Sequence, residues 1–171
     1  LFVLSRSDEN QVLLNYKPMD LRDLVEEVCR HAEILAEEKD ISIVIAFLEQ
    51  VKINGDEVRL RQMVWNILHN GIKYTQPGGE LKVSLLEESG FALLSILDTG
   101  IGIPEKDLPF IFDRFYRVDK ARSKDEGGSG LGLSICRHIA EAHKGKIEVE
   151  SKPGLGTRFK IHIPSTEGEA S

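Results

Sequence analysis

Two stretches constrain this chain more than any others: ELKVSLLEESGFALLSILD, residues 80–98, and KIEVESKPGLGTRFKIHIP, residues 146–164. Each holds two runs rich in β-branched and aliphatic residues, separated by a short glycine-bearing turn. Strands joined so closely run antiparallel, because a parallel pair needs a crossover of a dozen or more residues. A sheet built from such hairpins argues against a repeated βαβ architecture.

Helical signals lie between the strands. Asp20 is placed as an N-cap, and Leu21, Leu24, Val25, Val28, Ala32, Leu35 and Ala36 recur at helical spacing to about Lys39. Asp56 caps a second helix, whose stripe of Leu60, Met63, Val64, Ile67, Leu68 and Gly71 runs to about Lys73. A third helix is expected from about Leu131 to His143. ISIVIAF (41–47) reads as a strand with VKIN as a short partner, and QVLLNYKPMD as an extended segment punctuated by Pro18. The economical packing is α+β: a two-layer sandwich with a mixed, mostly antiparallel sheet of about five strands and three helices on one face. A length of 171 residues suits one such domain and its core without disulfides. The net charge of −6 argues against general affinity for nucleic-acid backbones. The two cysteines, Cys29 and Cys136, each fall in a helical pattern and read as buried thiols of a reducing compartment. No apolar run reaches membrane-spanning length.

Four constellations carry possible chemistry. Asn66, Asn70 and Lys73 follow one another at i, i+4 and i+7, forming a polar stripe along the border of the second helix's apolar face. Such a stripe is either a solvated flank or the lining of a cleft. Asparagine is a poor helix former, its amide oxygen suits Mg²⁺, and Mg²⁺ usually accompanies phosphates. Asp98 ends an apolar strand and begins DTGIGIP. Asp-Thr-Gly is ordinary turn chemistry. The alternative is a carboxylate that accepts from the exocyclic amine of adenine and rejects the carbonyl of guanine, with Gly100 and Gly102 admitting a flat base. GGSGLGLS, with Gly128, Gly130 and Gly132, is neither a dinucleotide fingerprint nor a Walker loop. It is a hinge, or a phosphate site at a helix N-terminus. FIFDRFYR interleaves Phe110, Phe112, Phe115 and Tyr116 with Arg114 and Arg117: an aromatic anchor, with arginines either solvated or reaching a phosphate. Trp65 falls away from the apolar stripe and is expected to be partly exposed. His31, His69, His138, His143 and His162 show no metal-ligand spacing.

Taken together, NILHNGIKYT, DTGIGIP, FIFDRFYRVD and GGSGLGLSI resemble, in order and spacing, the four boxes of the catalytic ATP-binding domain of bacterial sensor histidine kinases. The resemblance covers roughly residues 16 to 164, and implies a Bergerat-type sandwich holding ATP and Mg²⁺ between the second helix and a lid at about 113–130. It implies Asn70 as the Mg²⁺ ligand, with Asn66, Lys73 and Tyr74 beside the phosphates or ribose, and Asp98 on the adenine amine. Gly100, Gly102 and Ile103 would flank the base. Gly128, Gly130, Leu131, Gly132 and Leu133 would form the hinge and phosphate cradle. Asn66, Lys73, Arg114 and Arg117 would act on the transferred phosphoryl group. Residues 1–15 resemble the end of a phosphoacceptor hairpin with its linker, 16–164 the catalytic domain, and 165–171 a disordered tail. No histidine has the neighbours of the family's phosphoacceptor, so this chain is expected to bind ATP without phosphorylating itself. The implied partners are that histidine hairpin and, indirectly, a response regulator, with no nucleic-acid or membrane contact. The chain is expected to be monomeric alone, dimeric in a full-length parent, and cytosolic.

The same fold serves hydrolytic ATPases, which place a glutamate base one turn before the Mg²⁺-binding asparagine; that position here is Asn66, an amide that accepts no proton from water. A serine kinase of the anti-sigma-factor type and a non-catalytic nucleotide-sensing module are the other readings of the same pattern.

Overall fold

The computed structural model describes residues 14–118 and 132–166. Asp20 ends a short strand β1 (Lys17–Asp20) and caps helix α1 (Leu21–Glu38) by accepting from the backbone N–H of Arg22 at 3.0 Å. The same oxygen accepts from Val51 at 3.2 Å, tying the helix start to the chain entering strand β3 (Lys52–Gly55). Six of the seven stripe positions of α1 are fully buried; Leu35 is half-buried against the same core. The helix ends as Asp40 turns into the left-handed region at φ 62° and the chain enters strand β2 (Ser42–Leu48).

Asp56 caps helix α2 (Glu57–Tyr74) through the N–H of Arg59 at 3.1 Å, and the expected stripe from Leu60 to Gly71 is buried. Trp65, expected away from the stripe, is half-buried and packs against the core. Strands β4 (Glu80–Glu88) and β5 (Phe91–Asp98) form one expected hairpin, and β6 (Lys146–Lys152) and β7 (Gly156–Pro164) the other. Helix α3 (Gly132–Ala142) precedes the second hairpin. The five-stranded sheet runs β2-β4-β5-β7-β6, with β2 parallel to β4 and the other pairs antiparallel. Among the described residues this gives three helices and a mixed five-stranded sheet, the sandwich the sequence implies.

Strand alternation sets the site. Ala92, Leu94 and Ile96 of β5 are buried at every second position, so the pleat carries Asp98 onto the same inward face. Thr157, its register partner on β7, leads the inward row Phe159, Ile161 and Ile163.

Two expectations need correction. VKIN does not partner 41–47: β3 pairs antiparallel with β1, Lys17 opposite Gly55, in a separate two-stranded sheet. Ser165 and Thr166, placed in a disordered tail, belong to the fold, because Ser165 is buried and donates to Gly90 O at 2.8 Å while Thr166 N donates to Lys52 O at 2.9 Å. Of the helical remnant expected at 1–15, residues 1–13 lie outside the described residues. Both cysteines are free and buried, and burial pushes each thiol up to about 12, which keeps them protonated at neutral pH.

Candidate functional site

The site begins where the carboxyl end of β5 meets the middle and end of α2. Asp98 is 6% exposed, so its carboxylate is almost wholly withdrawn from water. One oxygen, Oδ1, is committed: it accepts from Gly100 N at 2.8 Å and Thr157 N at 3.1 Å. Those two bonds fix the plane of the carboxylate. The other oxygen, Oδ2, faces α2, 3.6 Å from where a Cβ on Gly71 would stand. Burial raises the Asp98 pKa, opposed by the two backbone N–H donors. A carboxylate held at that cost, with one oxygen that accepts no hydrogen bond among the described residues, is suited to receive a donor from a ligand.

Glycines shape the floor. A Cβ on Gly71 would come within 2.9 Å of Leu81 Cδ2, so the helix packs directly on β4 beside Asp98. A Cβ on Gly100 would lie 2.5 Å from Tyr74 O, 2.9 Å from Asp98 Oδ1 and 3.0 Å from Thr75 Oγ1. Gly102 adopts φ +78° with its Cβ position 2.1 Å from Lys152 O, which presses the loop onto the β6–β7 turn. That loop is anchored on three sides: Ile101 N donates to Tyr74 O at 3.1 Å, Gly154 N to Ile101 O at 2.8 Å, and Ile103 N to Ser151 Oγ at 2.8 Å.

Along α2, Asn66, Asn70, Lys73 and Tyr74 are all half-buried, as a stripe at the border of the core requires. Asn66 Nδ2 reaches Gly132 O at 3.5 Å, bringing α2 to the first turn of α3. The Lys73 ammonium lies 5.3 Å from the Tyr74 ring centroid. The end of this helix is held from outside, since Lys39 Nζ donates to Ile72 O at 3.0 Å and Lys73 O at 2.8 Å. Arg114 is exposed and Arg117 half-buried, on a segment pinned by Phe112 against Phe159 and by a Tyr116 hydroxyl bond to buried Asp107. Leu133 packs against the core, while a Cβ on Gly132 would meet nothing within 4 Å, so sterics do not demand glycine there. Gly128, Gly130 and Leu131, with most of the expected lid, lie outside the described residues.

The structure thus brings Asp98, Gly100, Gly102, Ile103 and Tyr74 together. It adds three residues that the sequence reading missed. Thr75 is 1% exposed and its Oγ1 is buried without a hydrogen-bond partner. Thr157 gives its backbone N–H to Asp98, and its hydroxyl lies 2.8 Å from Ser151 Oγ. Strand parity is a signal for Thr157, but only once the β5–β7 register is known. No three His, Cys, Asp or Glu side chains converge on a metal position among the described residues, so a cation here would lean on amide oxygen and on a ligand's own oxygens. A cleft of about 340 Å³ lined by Phe91, Lys144, Gly145, Lys146 and His162 sits at the other end of β5 and takes in none of these residues.

Helices on one face of a mixed sheet, with a buried carboxylate and glycine loop facing an asparagine-bearing helix, are the layout of a Bergerat-type nucleotide-binding sandwich. Residues 55–167 match the histidine kinase-, DNA gyrase B-, and HSP90-like ATPase family, and the chain belongs to that family. It is 35% identical over 164 residues to the sensor-like histidine kinase SenX3 of Mycolicibacterium smegmatis, covering 96% of this chain and 43% of that protein. The chain thus spans less than half of that relative's length. The solved structure of the mycobacterial sensor histidine kinase MprB matches with TM-score 0.78 and 30% identity, over 87% of this chain and 98% of that one. Full-length ShkA, solved in complex with AMPPNP, matches with TM-score 0.79 and 29% identity, over 91% of this chain and 32% of that one.

Proposed function

We propose that this domain binds Mg-ATP and transfers its γ-phosphoryl group to a histidine of a helical hairpin, as the kinase domain of a two-component sensor. The observation that carries the reading is Asp98, inward-facing and buried, with Oδ1 fixed by two backbone donors and Oδ2 uncommitted. An uncommitted acceptor in that position selects a base with an exocyclic amine over one with a carbonyl. Thr75 Oγ1, buried without a partner beside the same loop, is a second polar group that a bound nucleotide or its water would satisfy. The orphaned hydroxyl and the uncommitted carboxylate oxygen fit an adenine nucleotide.

In this reading Asn70 would hold Mg²⁺ through its amide oxygen, and the ion would supply neutralisation of phosphate charge. Asn66, Lys73 and Tyr74 line the phosphates and ribose. Gly100, Gly102 and Ile103 would bound the base, and the family resemblance assigns Gly128, Gly130, Leu131, Gly132 and Leu133 to the phosphates. Arg114 or Arg117 faces the γ-phosphate. The chain's contribution is positioning and electrostatic stabilisation. The P–O bond to ADP breaks as a P–N bond to an imidazole nitrogen forms, and the imidazole proton leaves to a base on the acceptor's side.

The acceptor is not one of this chain's five histidines: none precedes an acidic residue, and His143 is buried with Nε2 accepting from Asp56 N and Nδ1 bonded to Ile139 O. Asn66 at the position of a hydrolytic base favours transfer over hydrolysis. The domain works in the cytosol, where ATP is, and a response regulator takes the phosphoryl group onward. The test is incubation with γ-labelled ATP, with and without an added hairpin carrying a phosphoacceptor histidine. Acid-labile label on the hairpin alone supports transfer; label on this chain, or free phosphate without label on the hairpin, overturns it.

A further inference from the structure

The hydroxyl of Ser151, near the end of β6, touches both halves of the base-recognition site. Ile103 N donates to it at 2.8 Å from the glycine loop, 48 positions away in sequence. On its own hairpin it lies 2.9 Å from Gly156 O and 2.8 Å from Thr157 Oγ1. Thr157 N in turn holds Asp98 Oδ1 at 3.1 Å. We propose that Ser151 is a positioning residue for base recognition, locking the glycine loop at Ile103 and orienting Thr157 beside Asp98. This rests on the nucleotide-binding reading above and assigns a specificity device within it.

Hydrogen-bond capacity fixes the arrangement. A serine hydroxyl has one hydrogen and two lone pairs. A carbonyl only accepts, so the Ser151 hydrogen goes to Gly156 O. One lone pair takes Ile103 N–H, and the other accepts from the Thr157 hydroxyl. Every capacity of Ser151 is then used, and the Thr157 hydrogen is spent. Thr157 Oγ1 offers only lone pairs to a third partner, the polarity of Asp98 Oδ2. A hydroxyl restricted to acceptance on the register partner of Asp98 suits the donors of adenine or of a water bound to it, and disfavours the carbonyl of guanine. The strand itself does not need this hydroxyl, because the β6–β7 backbone ladder runs through Ser151 opposite Thr157 whatever the side chain. Ser151 is also only half-buried, so its removal leaves no sealed cavity.

The test titrates wild type, Ser151→Ala and Ser151→Thr with ADP and GDP by calorimetry, and follows hydrogen exchange of the Ile103 amide. Ser151→Ala is expected to weaken ADP binding roughly five- to tenfold, the worth of about one hydrogen bond. It should also lower the ADP-over-GDP preference and speed Ile103 exchange relative to the β5 and β7 amides. Ser151→Thr, which keeps the hydroxyl, should return ADP affinity to within about twofold of wild type, since the same donors and acceptors are restored. Should the alanine variant melt, Ser151→Cys keeps volume with a weak acceptor and should show the same losses in smaller measure. An unchanged ADP affinity and preference in Ser151→Ala overturns the inference alone, as does equal weakening by alanine and threonine. Failure of the wild type to bind ADP defeats the nucleotide reading beneath it.

Discussion

Replacing Asp98 by asparagine separates recognition from folding. Oδ1 accepts from both Gly100 N and Thr157 N, so the amide can enter in only one orientation: its oxygen must take those donors and its NH₂ must replace Oδ2. A donor then meets the donor of adenine. The lost charge-assisted bond is worth about 1.5–3 kcal/mol, and the buried amide left unmatched adds about 1–3 kcal/mol. Together these raise the Kd for ADP by roughly 10² to 10⁴, at about 1.4 kcal/mol per tenfold. The same NH₂ suits the guanine carbonyl, so the ADP-over-GDP preference should collapse toward parity. Stability should move the other way. Burial raises the Asp98 pKa above its unfolded value, so the fold binds a proton more readily than the unfolded chain. The charged carboxylate therefore costs stability, and that cost grows as pH rises from the unfolded carboxylate range through the raised value. At pH 7 the variant should melt at or above the wild type, and the difference should close as pH falls toward 4, the ordinary carboxylate range. Calorimetric titration and thermal melts read both effects. ADP affinity within about threefold of wild type, less than a single hydrogen bond, refutes the recognition role. A variant melting well below wild type at pH 7 refutes the account of the buried charge.

Lys39→Met removes the ammonium that holds Ile72 O and Lys73 O, and should cost about 1–2 kcal/mol and weaken nucleotide binding, measured by urea midpoint and ADP titration. Burial lowers the His143 pKa, opposed by the Ile139 carbonyl and Asp56, so the neutral ring is the folded form. Stability from this group is full above the unfolded value of about 6.5 and declines as pH falls from there toward the lowered folded value, so unfolding midpoints should drop between about pH 7.5 and 5.5, less steeply in His143→Gln. Gly156 stands at φ +98° with its Cβ position 2.0 Å from Asp98 O, whereas Gly78 stands at φ +96° with nothing within 4 Å. Alanine should therefore cost about 2–4 kcal/mol at Gly156, strain plus overpacking. It should cost only about 1 kcal/mol at Gly78, the left-handed penalty alone. Chemical denaturation of the two variants reads the difference.

Much of this was legible because it is local. Asp20 and Asp56 sit immediately before apolar stripes and cap helices through their own next residues, so three or four positions of sequence suffice. The two hairpins carry their turns within them. Asp98 was legible as a strand-ending carboxylate, and counting alternate residues from Ala92 already places it inward. What escaped depends on partners distant in sequence. Pairing of Lys17–Asp20 with Lys52–Gly55 joins two four-residue strands across helix α1, with too few positions for an alternation signal. Ser165 and Thr166 look like tail residues until Gly90 and Lys52 are seen to receive them. Ser151 and Thr157 read as ordinary polar residues of a hairpin, and gain meaning only when the β5–β7 register sets Thr157 opposite Asp98.

The central claim, an adenine nucleotide site built on Asp98, is tested most directly by calorimetric titration of the wild-type chain with ADP, ATP and GTP, with and without Mg²⁺. Saturable binding of ADP and ATP, strengthened by Mg²⁺ for ATP and absent or far weaker for GTP, is the predicted result. No binding of either adenine nucleotide, or equal binding of GTP, would contradict it.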